Sequence, residues 1–527
     1  MRRDHLRADR SYYGNMGIRS MAGLRTLWIL AVGAGLAGVL PVGAKPVFNS
    51  SLLEGHGSEI FFCDLDGDGL KDVVMKDGLN VSIFYQDPKT GFPRKPQLQY
   101  RLDARPCLLW AARAGTKAES LLMMTSEGVT ELCFTNRAGP VERHRIIEQE
   151  TIIPALMDEP KAMYFPLTAE THEGSSLLLL PVRDGLQVWS RSGAEASPAV
   201  DHAANAKDPG PWYQVQFIEN TVNTQIQPVV TNSGYAQSFG INLSLGDVNG
   251  DGRDDLMVVR NLPGDLQVYA LYLQNADDRF TTAPVLVYTN KPEWGTSLCW
   301  SDINRDGKVD LIKSSYSDEP FFVPGIRSGK VYVGTYFADE LGRIPAKPQQ
   351  VFRKNDWSSS LPMVDVDGDG FPDLVLGYIP IDTREGARKL IVSEAANLNL
   401  KFHFYRPGIG FSKEPDYQRD TVIHFHQGFF GTPEQRMYYE MFVSLNGDFN
   451  GDGKKDLLIR DRGDAISVYF FISREKGFSP KADFTFGCVE PIDWWEIQDL
   501  NGDGLSDLVV KLRGQDLFRV FISGGRQ

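Results

Sequence analysis

The chain has 527 residues, 42% of them hydrophobic and 11% aromatic, and its 55 Lys and Arg against 68 Asp and Glu give a net charge of −13. That apolar content belongs to a chain with a packed core rather than a disordered one. An acidic balance with no Lys/Arg cluster argues against a nucleic-acid partner.

The first element is a targeting segment. Leu27 to Leu40 is an apolar run preceded by Arg25, and Val42-Gly-Ala44 places small residues before Lys45, the pattern of a signal peptide over residues 1–44. Met21 is a plausible true start, because Met21-Ala-Gly-Leu-Arg25 makes a normal basic leader. The run is too short and Gly-rich for a stable membrane span. The expected product is a secreted, periplasmic or cell-surface protein of residues 45–527. Export would permit a Cys107–Cys133 disulfide, while Cys63 and Cys299 sit in apolar stretches where a small buried side chain is the simpler role.

Six copies of one pattern follow. They are Asp64-Leu-Asp66-Gly-Asp68-Gly-Leu70-Lys-Asp72, Asp247-Val-Asn249-Gly-Asp251-Gly-Arg253-Asp-Asp255, Asp302-Ile-Asn304-Arg-Asp306-Gly-Lys308-Val-Asp310, Asp365-Val-Asp367-Gly-Asp369-Gly-Phe371-Pro-Asp373, Asp448-Phe-Asn450-Gly-Asp452-Gly-Lys454-Lys-Asp456 and Asp499-Leu-Asn501-Gly-Asp503-Gly-Leu505-Ser-Asp507. Each offers oxygen-bearing side chains at positions 1, 3, 5 and 9 and a backbone carbonyl at position 7. Calcium takes six to eight oxygens, and alternate residues of a tight turn converge on one point. A helix-loop-helix site would need a Glu at position 12, where this chain has Met75, Val258, Lys313, Leu376, Ile459 or Val510. The continuations are short runs rich in Val, Leu and Ile, which predict buried strands. Each loop therefore joins two strands, with calcium as the expected ion and up to six ions in all.

Removing residues 1–44, with six Arg and two Asp, leaves 49 basic and 66 acidic residues, or −17, and six divalent ions would bring this to −5. Much of the acidity is thus ligand charge.

The loops begin 183, 55, 63, 83 and 51 residues apart, so the first gap holds about three units. Leu121 to Phe134 and Leu177 to Trp189 repeat the strand, turn and strand that follow each loop, without its acids. Eight units over 483 residues give about 60 residues each, the length of a four-stranded blade. The prediction is an all-β fold, a single β-propeller domain with seven blades as the alternative to eight. Its last unit stops after the third strand, so a strand from Pro46 onward would complete that blade and cover its edge.

These units resemble the FG-GAP, or VCBS, repeats of bacterial secreted proteins, which are similar to the propeller head of integrin α chains. Phe239-Gly240 matches the Phe-Gly of the name and Gly377-Tyr-Ile-Pro380 the Gly-Ala-Pro ending, while Arg305 departs from the loop glycine. The resemblance implies calcium ligation by the six loops and a role in adhesion or ligand binding. It also extends to propellers attached to enzymes, so fold alone leaves function open.

If the loops join first to second strands, the connections entering the first strands lie on the opposite face. His56, Trp294 and Trp357 each precede their loop by eight residues and Tyr439 by nine, while Tyr235 and Trp494 precede theirs by twelve and five; these six are the candidate ligand-binding residues there. Aromatic surfaces suit a polysaccharide or a protein segment; packing between blades is the competing role. Glu195 to Ser238 and Ile381 to Phe402 read as long connections of functional interest. His424 and His426 share a strand face, with no third ligand identifiable. No nucleophile elbow, zinc motif or phosphate loop is present. The expected function is an exported, calcium-binding module for a carbohydrate or protein ligand; the rival is a carbohydrate-active enzyme such as a polysaccharide lyase.

Overall fold

A computed structural model of the chain describes residues 47–524, apart from short connections and longer stretches at 153–167, 192–211, 317–330, 380–394 and 425–441; over 223–240 it gives the strand backbone alone. The targeting segment and Cys107 lie outside the described residues.

Eight four-stranded antiparallel sheets follow one another along the chain, with no helix among the described residues. Blade one is Glu59–Cys63, Asp72–Asp77, Asn80–Phe84 and Leu98–Arg101. Blades two to seven span 108–148, 168–219, 242–290, 297–354, 357–424 and 443–486. Blade eight takes Ile492–Gln498, Asp507–Leu512 and Leu517–Ser523, and its fourth strand is Phe48–Glu54, paired from Phe48↔Ser523 to Glu54↔Leu517. The architecture is the eight-bladed propeller ring.

Burial follows from the ring. Second strands are covered on both faces by neighbouring blades, so Ser176–Val182 and Leu374–Ile379 are buried throughout and read as unbroken apolar runs. Fourth strands lie at the rim, and Glu142–Glu148 exposes four of its first residues in a row. Apolar clusters fill every junction between neighbouring blades, including the one between blades eight and one, where Leu53, Phe518 and Val520 meet Val73, Met75 and Phe84. First strands of adjacent blades approach one another, which places them at the axis.

Within each blade the first-to-second and third-to-fourth connections share one face, and the remaining connections share the other. The six acidic loops are all of the first kind. The two stretches read from sequence as long connections need correction. Glu195 to Ser238 contains the fourth strand of blade three, Tyr213–Glu219, and most of a hairpin of Asn223–Thr231 with Gly234–Gly240; Ile381 to Phe402 contains most of strand Ala395–His403. Tyr213–Glu219 is a largely exposed rim strand rich in polar residues, and Ala395–His403 is a mostly buried third strand in which Asn and Lys alternate with Leu and Phe, so both have a loop-like composition.

Candidate functional site

The six loops share one internal hydrogen-bond pattern. The position 1 carboxylate accepts from the backbone of positions 4 to 6, as when Asp64 Oδ1 takes Gly67 N–H at 2.7 Å and Oδ2 takes Gly69 N–H at 2.9 Å. The position 3 oxygen accepts the N–H of position 5, at 3.0 Å from Asp251 to Asn249 and from Asp306 to Asn304. Position 5 accepts the N–H of position 7, at 2.9 Å for Leu70, Arg253, Lys308, Phe371 and Leu505 and 3.0 Å for Lys454. These bonds turn the carboxylates of alternate residues inward. Carboxylate oxygens of Asp64, Asp66 and Asp72 lie within 4.8 Å of one another, as do those of Asp365, Asp367 and Asp373. The other four loops carry Asn at position 3. An all-oxygen set of this kind fits a hard divalent cation.

Position 9 does more than face an ion. Asp72, Asp310, Asp373, Asp456 and Asp507 are 0% exposed and Asp255 1%. One oxygen of each accepts the N–H of position 2 in its own loop, and the other accepts an N–H at or just beyond the end of the third strand. For Asp373 these are Val366 and Tyr405, both at 2.9 Å; for Asp507 they are Leu500 and Ser523, both at 2.7 Å. The residue thus ties loop, second strand and third strand together. Burial pushes these carboxyls up, to about 7 for Asp72, Asp255, Asp310 and Asp507 and about 8 for Asp373 and Asp456, and the other loop acids add repulsion. A divalent ion bound there would offset that penalty.

Position 8 links neighbouring blades, a role the sequence reading missed. Glu119 donates its N–H to Asp64 C=O and its carboxylate accepts Asp64 N–H, each at 2.6 Å. Ser506 does the same to Asp448, each at 2.9 Å. Ser176 pairs likewise with Arg113, and Asp254 with Glu170. Lys71 and Lys455 give the backbone bond, to Leu500 and Val366, and Lys71 Nζ also donates to Gln498 Oε1 of blade eight at 3.4 Å. The two blades without acids therefore keep this link through Glu119 and Ser176. A signal was available, since an oxygen-bearing side chain stands just before the second strand in three of the blades and opens it at Ser176 in a fourth. Ser506→Ala should lower stability by about 1 kcal/mol in urea unfolding, because Asp448 N–H loses its acceptor.

Pro372 occupies position 8 in blade six and has no N–H to give. Arg305 of blade five reaches across that junction instead. It adopts φ 57°, the left-handed conformation its glycine counterparts adopt, and its guanidinium lies 5.6 Å from the Phe371 ring centroid. The departure from the repeat pattern at Arg305 is thus accommodated in the turn, at a backbone cost of about 1 kcal/mol.

Two stretches of the chain, 247–312 and 448–510, match the family model described as "FG-GAP-like repeat". With eight blades carrying the loops between first and second strands, that match decides the identity of the repeat. The chain is a β-propeller of FG-GAP-like repeats. Integrin alpha-5 of Xenopus laevis is 28% identical over 194 residues, which is 33% of this chain and 18% of that protein. Integrin alpha-IIb of Mus musculus is 31% identical over 180 residues, 30% of this chain and 16% of that one. The match thus spans under a fifth of these relatives' length. A solved structure concerning recognition of non-reducing terminal N-acetylglucosamine by an Agrocybe aegerita lectin overlaps 63% of this chain and 77% of its own at 14% identity, with a TM-score of 0.32, too loose to carry an argument.

On the opposite face of this FG-GAP propeller the predicted ligand residues fall in different settings. His56 is exposed between blades eight and one, with Nδ1 2.6 Å from Asp516 Oδ1 and Nε2 3.6 Å from Asp77. Trp494 is half-buried in the first strand of blade eight, its ring 6.0 Å from that of Phe518 in the junction core. Trp357 opens the first strand of blade six and Tyr235 lies in the strand Gly234–Gly240, their side chains outside the described residues. Trp294, Tyr439 and His426 also lie outside them. His424 ends the fourth strand of blade six, at the rim. The described residues do not assemble a shared aromatic patch.

Proposed function

We propose that this propeller is an exported interaction module in which divalent cations, calcium by the donor chemistry, staple one face while the opposite face takes a carbohydrate or protein ligand. The observation that carries the reading is the division of labour between faces. The six acidic loops are tied to their own blades, and several of them to a neighbouring blade, by the bonds above; one long connection, 191–212 of blade three, also leaves from their face. From the opposite face leave the connections 149–167, 220–241, 317–330, 380–394 and 425–442, as judged from the described strands. Long connections on a rigid scaffold are where binding residues concentrate. The likeness to integrin alpha chains supports interaction rather than catalysis.

The test uses protein recovered from the exported fraction of a bacterial host, whose N-terminus should read near Lys45. Passed in calcium over immobilised acidic and neutral polysaccharides, it should be retained by a subset without generating the ultraviolet absorbance of unsaturated sugars. New absorbance would replace this reading with a lyase. Retention by none would remove the carbohydrate half and leave a protein ligand.

A further inference from the structure

Two of the six loops carry a fourth carboxylate among positions 1, 3, 5 and 9, and the same two receive an arginine from the next blade. Loops 64–72 and 365–373 carry Asp at positions 1, 3, 5 and 9; the others carry Asn at position 3. In three of the four Asn loops the side-chain amide donates to the position 5 carboxylate, at 3.2 Å for Asn249 to Asp251, 3.2 Å for Asn304 to Asp306 and 3.1 Å for Asn501 to Asp503. An ionised Asp has no proton to donate and would repel position 5. In loop 64–72, Arg137 of blade two supplies the donors, with Nε on Asp66 Oδ2 and Nη2 2.8 Å from Asp68 Oδ2. In loop 365–373, Arg474 of blade seven does so, with Nε on Asp367 Oδ2 and Nη2 on Asp369 Oδ2.

The surroundings repeat as well. Arg137 donates to Gln86 C=O at 3.1 Å and lies 5.3 Å from the Tyr85 ring centroid. Arg474 donates to Tyr405 C=O at 3.4 Å and lies 5.5 Å from that of Phe404. Both arginines come from the third-to-fourth-strand connection of the following blade, and both rest on the residues that follow the third strand of the blade they reach. The pair is one device used twice.

We propose that Arg137 and Arg474 are resident counter-cations that set the metal affinity of the two all-aspartate loops and hold them closed when no ion is bound. This rests on the metal reading of the loops. Counting only the carboxylates at positions 1, 3, 5 and 9 and the incoming guanidinium, each of these loops carries −3, the charge of the three carboxylates in an Asn loop; two Asn loops carry their own cation on position 5, Arg253 on Asp251 and Lys308 on Asp306. Each arginine therefore neutralises the extra acid and, by standing beside positions 3 and 5, weakens attraction for a second cation. It also ties the loop to the next blade, so the junction keeps a charged link without metal.

The test compares the wild-type chain with R137M/R474M and with the same variant carrying D66N and D367N, using calorimetric titration of calcium into metal-free protein and thermal melts with and without calcium. Removing a unit positive charge a few ångströms from a divalent ion should tighten two sites on the order of tenfold. The arginine variant should lose more melting temperature in chelator than in calcium, because the ion then does what the guanidinium did. The added asparagines should return both quantities toward wild type, and should restore folding if the arginine variant fails to fold without metal. Wild-type calcium uptake with unchanged affinities and an equal melting loss in both conditions would overturn the proposal alone, as would asparagines that fail to rescue. No calcium uptake by the wild-type chain would sink the metal reading, and the proposal with it.

Discussion

Removing divalent cations should lower the melting temperature of this chain by on the order of 10 °C, and calcium should restore it. A site with a dissociation constant near 10⁻⁴ M gains about 1.4 kcal/mol in millimolar calcium, because the ion binds the folded loop alone. Several such sites on a chain of this length, with its large unfolding entropy, give a shift of that order. The pH dependence sharpens the prediction. Burial raises the position 9 carboxyls from an ordinary value near 3.8 to about 7 or 8 in the folded chain. A carboxyl whose folded value is raised holds its proton better folded than unfolded. Its contribution is complete below about pH 4 and is lost as pH rises through 7 to 8. Metal-free protein should therefore melt lower at pH 8 than at pH 5. Calcium should flatten that slope, since the ion holds the carboxylates ionised. Scanning calorimetry at both pH values, after passage over chelating resin and again with calcium added, measures all four states. A melt indifferent to chelation, with no calcium found by elemental analysis, would remove the metal from this account.

The blade count was legible because two signals coincide in six of the eight units. Acids at alternate positions mark the loop, and the apolar run after it marks a strand buried on both faces. Where the acids are gone, at Ser120–Thr125 and Ser176–Val182, the second signal alone kept the unit visible. What was not legible depends on neighbours in space. Glu119 acquires its role from Asp64, 55 residues earlier, and Arg474 from Asp367, 107 residues earlier. No local pattern carries those partnerships. Arg305 shows the same limit from the other side. In sequence it is a blemish in a glycine position, and only beside Pro372 and Phe371 does it become a bridge. Trp494 illustrates a third limit, since an aromatic before a loop and an aromatic in a junction core look alike until a ring such as Phe518 is placed against it.

Within one loop, two aspartates should respond oppositely to substitution. Asp456 is 0% exposed, and its oxygens accept the N–H groups of Phe449 at 2.8 Å and Phe471 at 3.3 Å. Phe449 belongs to the core between blades seven and eight, and Phe471 to the core between blades six and seven. One carboxylate thus holds backbone on both sides of its blade. Asp456→Asn keeps the shape but turns an amide N–H₂ toward one of these donors. That leaves a buried N–H unpaired and a second donor facing it, which should cost about 3 kcal/mol in urea unfolding whether or not calcium is present. Asp452, at position 5 of the same loop, is exposed and accepts the N–H of Lys454 at 3.0 Å. Its replacement by Asn keeps an acceptor for that bond, so metal-free stability should change by under about 0.5 kcal/mol while the gain on adding calcium shrinks. If both substitutions acted only through calcium, position 9 would be a ligand and nothing more. A loss at Asp456 that persists in chelator would instead mean that the repeat keeps its ninth aspartate first as a backbone clamp, which an ion then relieves of its buried charge.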